Sequence, residues 1–335
     1  MNVTFIIGNG FDINMNMHTK YEHFYQYLCR HRDEYSDNMI FPYIMSALEQ
    51  KEQSGDLGTW CDYEYQLGKL LSLVSPCDKD KYIHSKLRLD DALADYLMSE
   101  NQRISVRDSS QLGSQAYDKL SHFYKEMNHQ YRDEYAAYSE DVHFGFINMN
   151  YTNVLDQIVS AICEDPSKRN CVSMPFHVHG DLLDGFVVGV DNINQLDNEK
   201  LQEDELLHNA MIKRTMNAAL GSRRTETGKD MIMHSRYVCA YGASLGKTDR
   251  FWRQTIVEWL KKDERNRFVF YKYEKKQHIG AGSRAYWVNT VIHEFLSDMW
   301  LTGDEKDQLK EQIIVIFNAK VFDLKSYFEY GEKEE

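Results

Sequence analysis

The chain opens on an unbroken apolar run, Val3, Phe5, Ile6 and Ile7, which ends at Gly8-Asn9-Gly10. A short run without alternation, closed by glycine, predicts a strand buried on both faces. The period then changes. Thr19-Lys20-Tyr21-Glu22 fits a capping box, and Tyr21, Phe24, Tyr25 and Leu28 follow at helical spacing, so a helix is expected to start near Thr19. From about 39 to 140 the pattern stays helical and strand-like runs are absent. Helices are expected over 60–74 and 80–100, punctuated by Gly55, Gly58 and the turn residues at 75–78. Leu112, Ala116, Leu120, Phe123, Met127 and Tyr131 predict one long amphipathic helix.

The second half reads differently. Short apolar or β-rich runs recur at 144–149, 175–178, 186–190, 237–241, 268–273 and 313–317. Helical patterns lie between several of them, at 153–163, 199–220, 249–262 and 285–301. The stretch 221–229 reads as an exposed loop, and 331–335 as a frayed tail. Strands alternating with helices predict an α/β fold with a mainly parallel sheet flanked by helices. The helical block is then a large all-helical insertion after the first strand. The expected division is 1–18 with 141–330 for the α/β domain and 19–140 for the insertion.

Charge removes some classes of function. The 39 Lys+Arg against 52 Asp+Glu give a net charge of −13. That argues against a broad grip on nucleic acid and against an anionic membrane surface. The six cysteines include no CxxC pair, as suits reduced thiols. No basic n-region opens the chain, and no apolar run reaches the ~18–20 residues of a membrane span. A cytoplasmic protein is expected. The 22 Tyr, 16 Phe and 5 Trp make it rich in aromatics. Those within the helical block make it the candidate lid or assembly surface.

Ligands of open α/β sheets bind beyond the carboxyl ends of strands. After the first strand comes Gly8-Asn9-Gly10-Phe11-Asp12. Its glycines let backbone amides approach a phosphate. The full G-x-G-x-x-G fingerprint fails because position 13 is Ile, and a ligand-free tight turn explains the segment equally well. Asn148-Met149-Asn150-Tyr151-Thr152-Asn153 offers amides and hydroxyls to a polar substrate; for Thr152 and Asn153, capping the next helix is the competing reading. Strand alternation puts His177 and His179 on the same face, and His179, at the strand exit before Gly180, is placed for general-base work. No further ligand completes a metal site around the pair, so none is expected. Gly242-Ala243-Ser244-Leu245-Gly246 suits a ribose or phosphate. It also spells a nucleophile elbow, but the acid and histidine that should follow, Asp263 or a later acid with His278 or His293, sit in no convincing turn after a strand. Trp60, Asp62 and Glu64 read as the opening of a helix.

Taken in order, these motifs resemble the AbiH family of bacterial abortive-infection proteins. The likeness runs from Phe5–Asp12 through Thr19-x-Tyr21-x-x-Phe24, Trp60-x-Asp62-x-Glu64, Asn150–Asn153, His177-x-His179-Gly180 and Tyr241–Asp249 to Asn318–Phe322. Several of them are also similar to the sirtuin-type, Rossmann-like NAD-binding fold. That resemblance implies NAD as the substrate, with no other cofactor. Gly8 and Gly10 would flank the pyrophosphate, with Asn9, Phe11 and Asp12 in the same binding loop. Asn150 would hold the nicotinamide ribose or position a water, and His179 would be the general base. Gly242 and Ser244 would meet the ribose or phosphate. Thr152 stands where sirtuins carry an aspartate, and Asp156 is the candidate replacement. Sirtuin deacetylases carry paired CxxC zinc motifs that this chain lacks, so hydrolysis of NAD to nicotinamide and ADP-ribose is the expected chemistry. A catalytically silent sensor that binds a nucleotide or ADP-ribose is the alternative. A constitutive NAD hydrolase would kill its host, so low basal activity is expected, with activation through a homo-oligomer, a phage component or a second defence protein.

Overall fold

The computed structural model describes residues 1–55, 57, 62–137, 141–275 and 280–331. Gly58, Trp60, Cys61, His278 and the tail from 332 lie outside that set. The strands are β1 (Asn2–Ile7), β2 (Ile104–Val106), β3 (His143–Asn148), β4 (Phe176–His177), β5 (Gly180–Asp181), β6 (Gly185–Phe186), β7 (Tyr237–Tyr241), β8 (Arg267–Lys272), β9 (Ile313–Phe317) and β10 (Phe328–Tyr330). Six of them form one parallel sheet in the order β4-β3-β1-β7-β8-β9. Alternation sends Val3, Phe5 and Ile7 to one face, where they join Phe144, Phe146, Tyr237 and Cys239, and sends Ile6 to the other, with Ile147, Val238 and Ala240. Both faces are covered, which is why these strands read as continuous apolar runs.

The helices are α1 (Gly10–Asn14), α2 (Tyr21–Arg30), α3 (Phe41–Ser54), α4 (Tyr63–Leu70), α5 (Lys79–Gln102), α6 (Ser109–Ser121), α7 (His129–Ala136), α8 (Val154–Cys163), α9 (Glu205–Met211), α10 (Lys213–Ala219), α11 (Arg224–Met233), α12 (Arg250–Lys262), α13 (Ala281–Leu296) and α14 (Gly303–Lys310). Helices α6, α7 and α8 cover the first sheet face. Helices α11, α12 and α13 cover the second. Helices α2–α5 build a third cluster around Phe24, Tyr25, Tyr63 and Leu89, which also takes in Val188, Val190, Leu207 and Met211. The residues of 19–140 therefore divide between two cores.

From β1 the chain moves one way to β3 and β4, then returns past β1 to β7, β8 and β9. The connections that leave the neighbours β1 and β7 run in opposite directions. A crevice beyond the carboxyl ends of those two strands follows from this topology.

Several local expectations fail, each for a physical reason. The helix expected near Thr19 is present as α2, which starts at Tyr21, but a further short helix, α1, precedes it from Gly10, because the turn after β1 is tight enough to enter a helix at once. The capping box is not formed: the Thr19 hydroxyl bonds Asn9, Glu22 pairs with Lys51, and α2 starts without a side-chain cap. The long helix over 112–131 is broken after Ser121 by a 3₁₀ turn, and the Asn128 side chain caps α7 anew. Strand β2 interrupts the supposedly strand-free block, held by antiparallel pairing with β10. The helix expected at 199–220 splits at Ile212, whose extended backbone bridges Val190. The strand expected at 186–190 retains only Phe186 within β6, paired with β5. The expected loop at 221–229 is largely helix α11, which has few apolar residues because Gly228 and Ile232 make its buried contacts.

Candidate functional site

A cleft of about 630 Å³ opens beyond the carboxyl ends of β1, β3 and β7, with the α2–α5 cluster as its far wall. Its floor is made by two glycine turns in direct contact. The Gly10 amide donates to Gly242 O (2.8 Å), the Gly8 amide to Tyr241 O (3.0 Å) and the Phe11 amide to Gly8 O (2.9 Å). Gly242 has φ +66°, and a Cβ there would lie 2.3 Å from the Phe11 nitrogen. A side chain at this position meets both a forbidden backbone region and a collision. The glycines thus serve the approach of one loop to the other, and these three amides are occupied.

Asp12, from the first turn of α1, is buried and lines the cleft. One carboxylate oxygen accepts from Asn150 Nδ2 (3.0 Å), the other from Thr152 Oγ1 (2.6 Å). Asn150 Nδ2 also donates to Gly8 O (3.2 Å). Burial, opposed by these hydrogen bonds, pushes the Asp12 carboxyl up to about 7. The expected capping role of Thr152 and Asn153 does not materialise: the Thr152 hydroxyl turns to Asp12, and Asn153 makes no side-chain cap. The loop is supported from behind. His177 Nδ1 meets Asn150 O (2.9 Å) and its Nε2 meets Asp156 Oδ2 (3.0 Å). Burial opposes a charge on His177, but the hydrogen bond and charge of Asp156 outweigh it and raise its pKa. Asp156 is therefore committed to His177.

His179 follows β4 and does not share the environment of His177. It is 8% exposed, lines the cleft, and its Nδ1 has no hydrogen-bond partner. Burial, with Lys213 and Arg224 nearby, holds its pKa well below the usual histidine range, so the ring is neutral. A neutral imidazole lining a cavity keeps a ring-nitrogen lone pair that can accept a proton, although the burial that keeps it neutral also weakens it as a base.

The opposite wall is ionic. Lys213 Nζ meets Glu64 Oε2 at 2.7 Å, with both side chains buried. Burial opposes the charge on Lys213, but Glu64, Asp249 and Asp62 outweigh it, so the ammonium persists. Asp249 is pushed up to about 6, by burial first and by Glu64 and Asp62 besides, against the pull of Lys213. The Val190 bridge that ends α9 places Lys213 at the first position of α10. Asp62 caps α4 through the Tyr65 amide, as its place at a helix start predicts. Tyr151 Oη lies 3.1 Å from Val187 O and 3.4 Å from Glu64 Oε1.

Of the residues singled out by sequence, Gly8, Asn9, Asp12, Asn150, Thr152, His179, Gly242 and Ser244 all line the cleft. Gly10 packs beneath it against Gly242. Phe11 points away into the core, its ring 5.3 Å from that of Phe322. Ser244 is exposed at the cleft margin. Lys213 was not anticipated: nothing in its neighbourhood marks it, and its partner lies in a different helix. Among the described residues no group of three or more His, Cys, Asp or Glu is arranged to hold a metal ion. Among them, too, no helix is long and apolar enough to cross a membrane.

No curated protein and no solved structure matches the chain. The family model described as "Bacteriophage abortive infection AbiH" matches residues 4–271, from within β1 to within β8, and includes every residue of the cleft. By that match the chain belongs to the AbiH family of bacteriophage abortive infection proteins.

Proposed function

We propose that the protein acts in phage abortive infection by hydrolysing NAD to nicotinamide and ADP-ribose. The observation that carries the reading is the neutral His179, its Nδ1 without a hydrogen-bond partner, set in a cleft at the sheet's switch point that it shares with the carboxylate of Asp12. In the reaction the bond between C1′ of the ribose and the pyridinium nitrogen breaks. The bonding pair leaves with the nitrogen, which becomes neutral, so no acid is needed for departure. A water oxygen bonds to C1′ and its proton passes to a ring nitrogen of His179. The products are nicotinamide, ADP-ribose and a proton.

The cleft's electrostatics agree with a substrate of mixed charge. Asp12 faces the cavity with no Lys or Arg among its hydrogen-bond partners, which suits the cationic end of NAD. Lys20 lines the cleft from an exposed position and suits the diphosphate. Asn150, with its amide nitrogen committed to Asp12 and Gly8, serves by placing the carboxylate. Incubation of the purified protein with NAD, taken from unchallenged and from phage-challenged cells, tests the reading. Nicotinamide release is expected, stronger after challenge, and lost in His179→Ala. Tight ADP-ribose binding without release would instead identify a sensor. Wild type and His179→Ala releasing nicotinamide at equal rates would remove His179 as the base.

A further inference from the structure

We infer that Asp12 is a second catalytic residue, whose carboxylate faces C1′ of the nicotinamide ribose and stabilises the cation that forms there as the bond to nitrogen opens. The inference rests on the NAD reading above and adds to it the group that meets the developing charge.

The geometry supports this assignment over a purely structural carboxylate. Asp12 is 1% exposed, yet it lines the cleft. A buried carboxylate normally survives by pairing with a cation, as Glu64 does with Lys213. Asp12 instead has two neutral donors, one on each oxygen. Its charge is oriented but not cancelled, and each oxygen keeps a lone pair for a ligand. The holding loop is itself braced, since His177 grips the Asn150 carbonyl and Asp156 grips His177. Dipoles fixed around an uncancelled charge are the arrangement that lowers the energy of an opposite charge appearing later. An oxocarbenium at C1′ is such a charge, and no bond between Asp12 and the sugar is required.

The titration of Asp12 gives the assignment a pH signature. Burial pushes the carboxyl up to about 7, while Thr152, Asn150 and the charge on His177 pull it down and Asp156 pushes it up. His179, Lys213, Glu64, Asp62, Asp249, Lys20, Glu22 and Lys51 also line the cleft. The ionised form is the stabilising one, so kcat/KM should rise with pH through about 7. Removing the Thr152 donor should move that limb upward.

The test uses the full-length protein with a fluorogenic etheno-NAD, backed by direct measurement of nicotinamide. Asp12→Asn is expected to lower kcat at least about 100-fold with ADP-ribose affinity within about threefold of wild type. Thr152→Val, which leaves the carboxylate in place, should keep measurable turnover with its acidic limb raised by about one pH unit. An Asp12→Asn variant with kcat within about threefold of wild type overturns the inference. So does a Thr152→Val profile whose limb coincides with that of wild type, which guards against an Asp12→Asn protein that does not fold. Wild type that releases no nicotinamide from either preparation removes the NAD reading and this inference with it. Wild type that turns over alongside an equally active Asp12→Asn removes Asp12 alone.

Discussion

The two walls of the cleft hold their buried carboxylates by opposite means. On the sheet side Asp12 is held by an amide and a hydroxyl. On the helical side Glu64 is held by an ammonium. Burial raises both carboxyls, but neutral donors leave the charge of Asp12 uncancelled, whereas at Glu64 a counter-ion cancels the field that the charge would exert. The comparison separates a group poised to act from a group that holds the wall together. It also bears on His179, which is kept neutral by burial first and by the positive partner of the second wall besides.

The contrast can be broken most forcefully at Lys213. Lys213→Met leaves Glu64 buried without a counter-ion and should cost about 3–5 kcal/mol by denaturant unfolding. Adding Glu64→Gln should restore at least about half of that. A double variant no better than the single would show that the pair is not the unit. The sheet side should respond to pH instead. The folded pKa of Asp12, about 7, lies above its ordinary 3.8, so the folded state holds the proton longer than the unfolded one. Stability from this group is complete below about 4 and is lost as pH rises to about 7, with a total on the order of 4 kcal/mol. Asp12→Asn lacks this titration. Its stability relative to wild type should therefore improve by a few kcal/mol between pH 4 and pH 8. The depressed His179 is common to both proteins and cancels in the difference. A gap that stays flat with pH would show that Asp12 carries its charge without cost.

Smaller effects sharpen the same division. Gly242→Ala places a side chain against the Phe11 amide at positive φ. About 2–3 kcal/mol of stability should be lost, and nicotinamide release with it, because the floor under Asp12 is displaced. Tyr151→Phe removes one hydroxyl from the Val187 carbonyl and should cost about 1 kcal/mol, with activity little changed. A large loss of turnover in that variant would move the helical wall into the chemistry.

How much of this was visible in the sequence follows from the range of each interaction. The strands at 237–241 and 313–317 were legible because burial on both faces writes an uninterrupted apolar run. Residues at strand ends were legible as site candidates because topology puts ligands there. Helix α11 was not, since Arg224-Thr225-Glu226-Thr227 carries no apolar period. Neither was the break after Ser121, because Leu120, Phe123 and Met127 are all buried and keep helical spacing across a 3₁₀ turn. The decisive pairings join Asp12 to Asn150 and Thr152, and Glu64 to Lys213. Each spans well over a hundred residues, and no local pattern encodes a partner at that distance. The sequence marks Glu64 by its place at a helix start, and nothing local marks the ion pair that occupies it.

The β2–β10 ribbon has a consequence for biosynthesis. Ile104–Val106 takes its strand partner from Phe328–Tyr330. On the ribosome, at roughly 5–20 residues per second, that partner arrives many seconds after β2 has left the exit tunnel. Through that interval β2 is without its partner, and an unpaired strand edge is a template for pairing with the wrong chain. Shortness is the protection: three residues offer too few hydrogen bonds to hold a stranger until the proper partner is made.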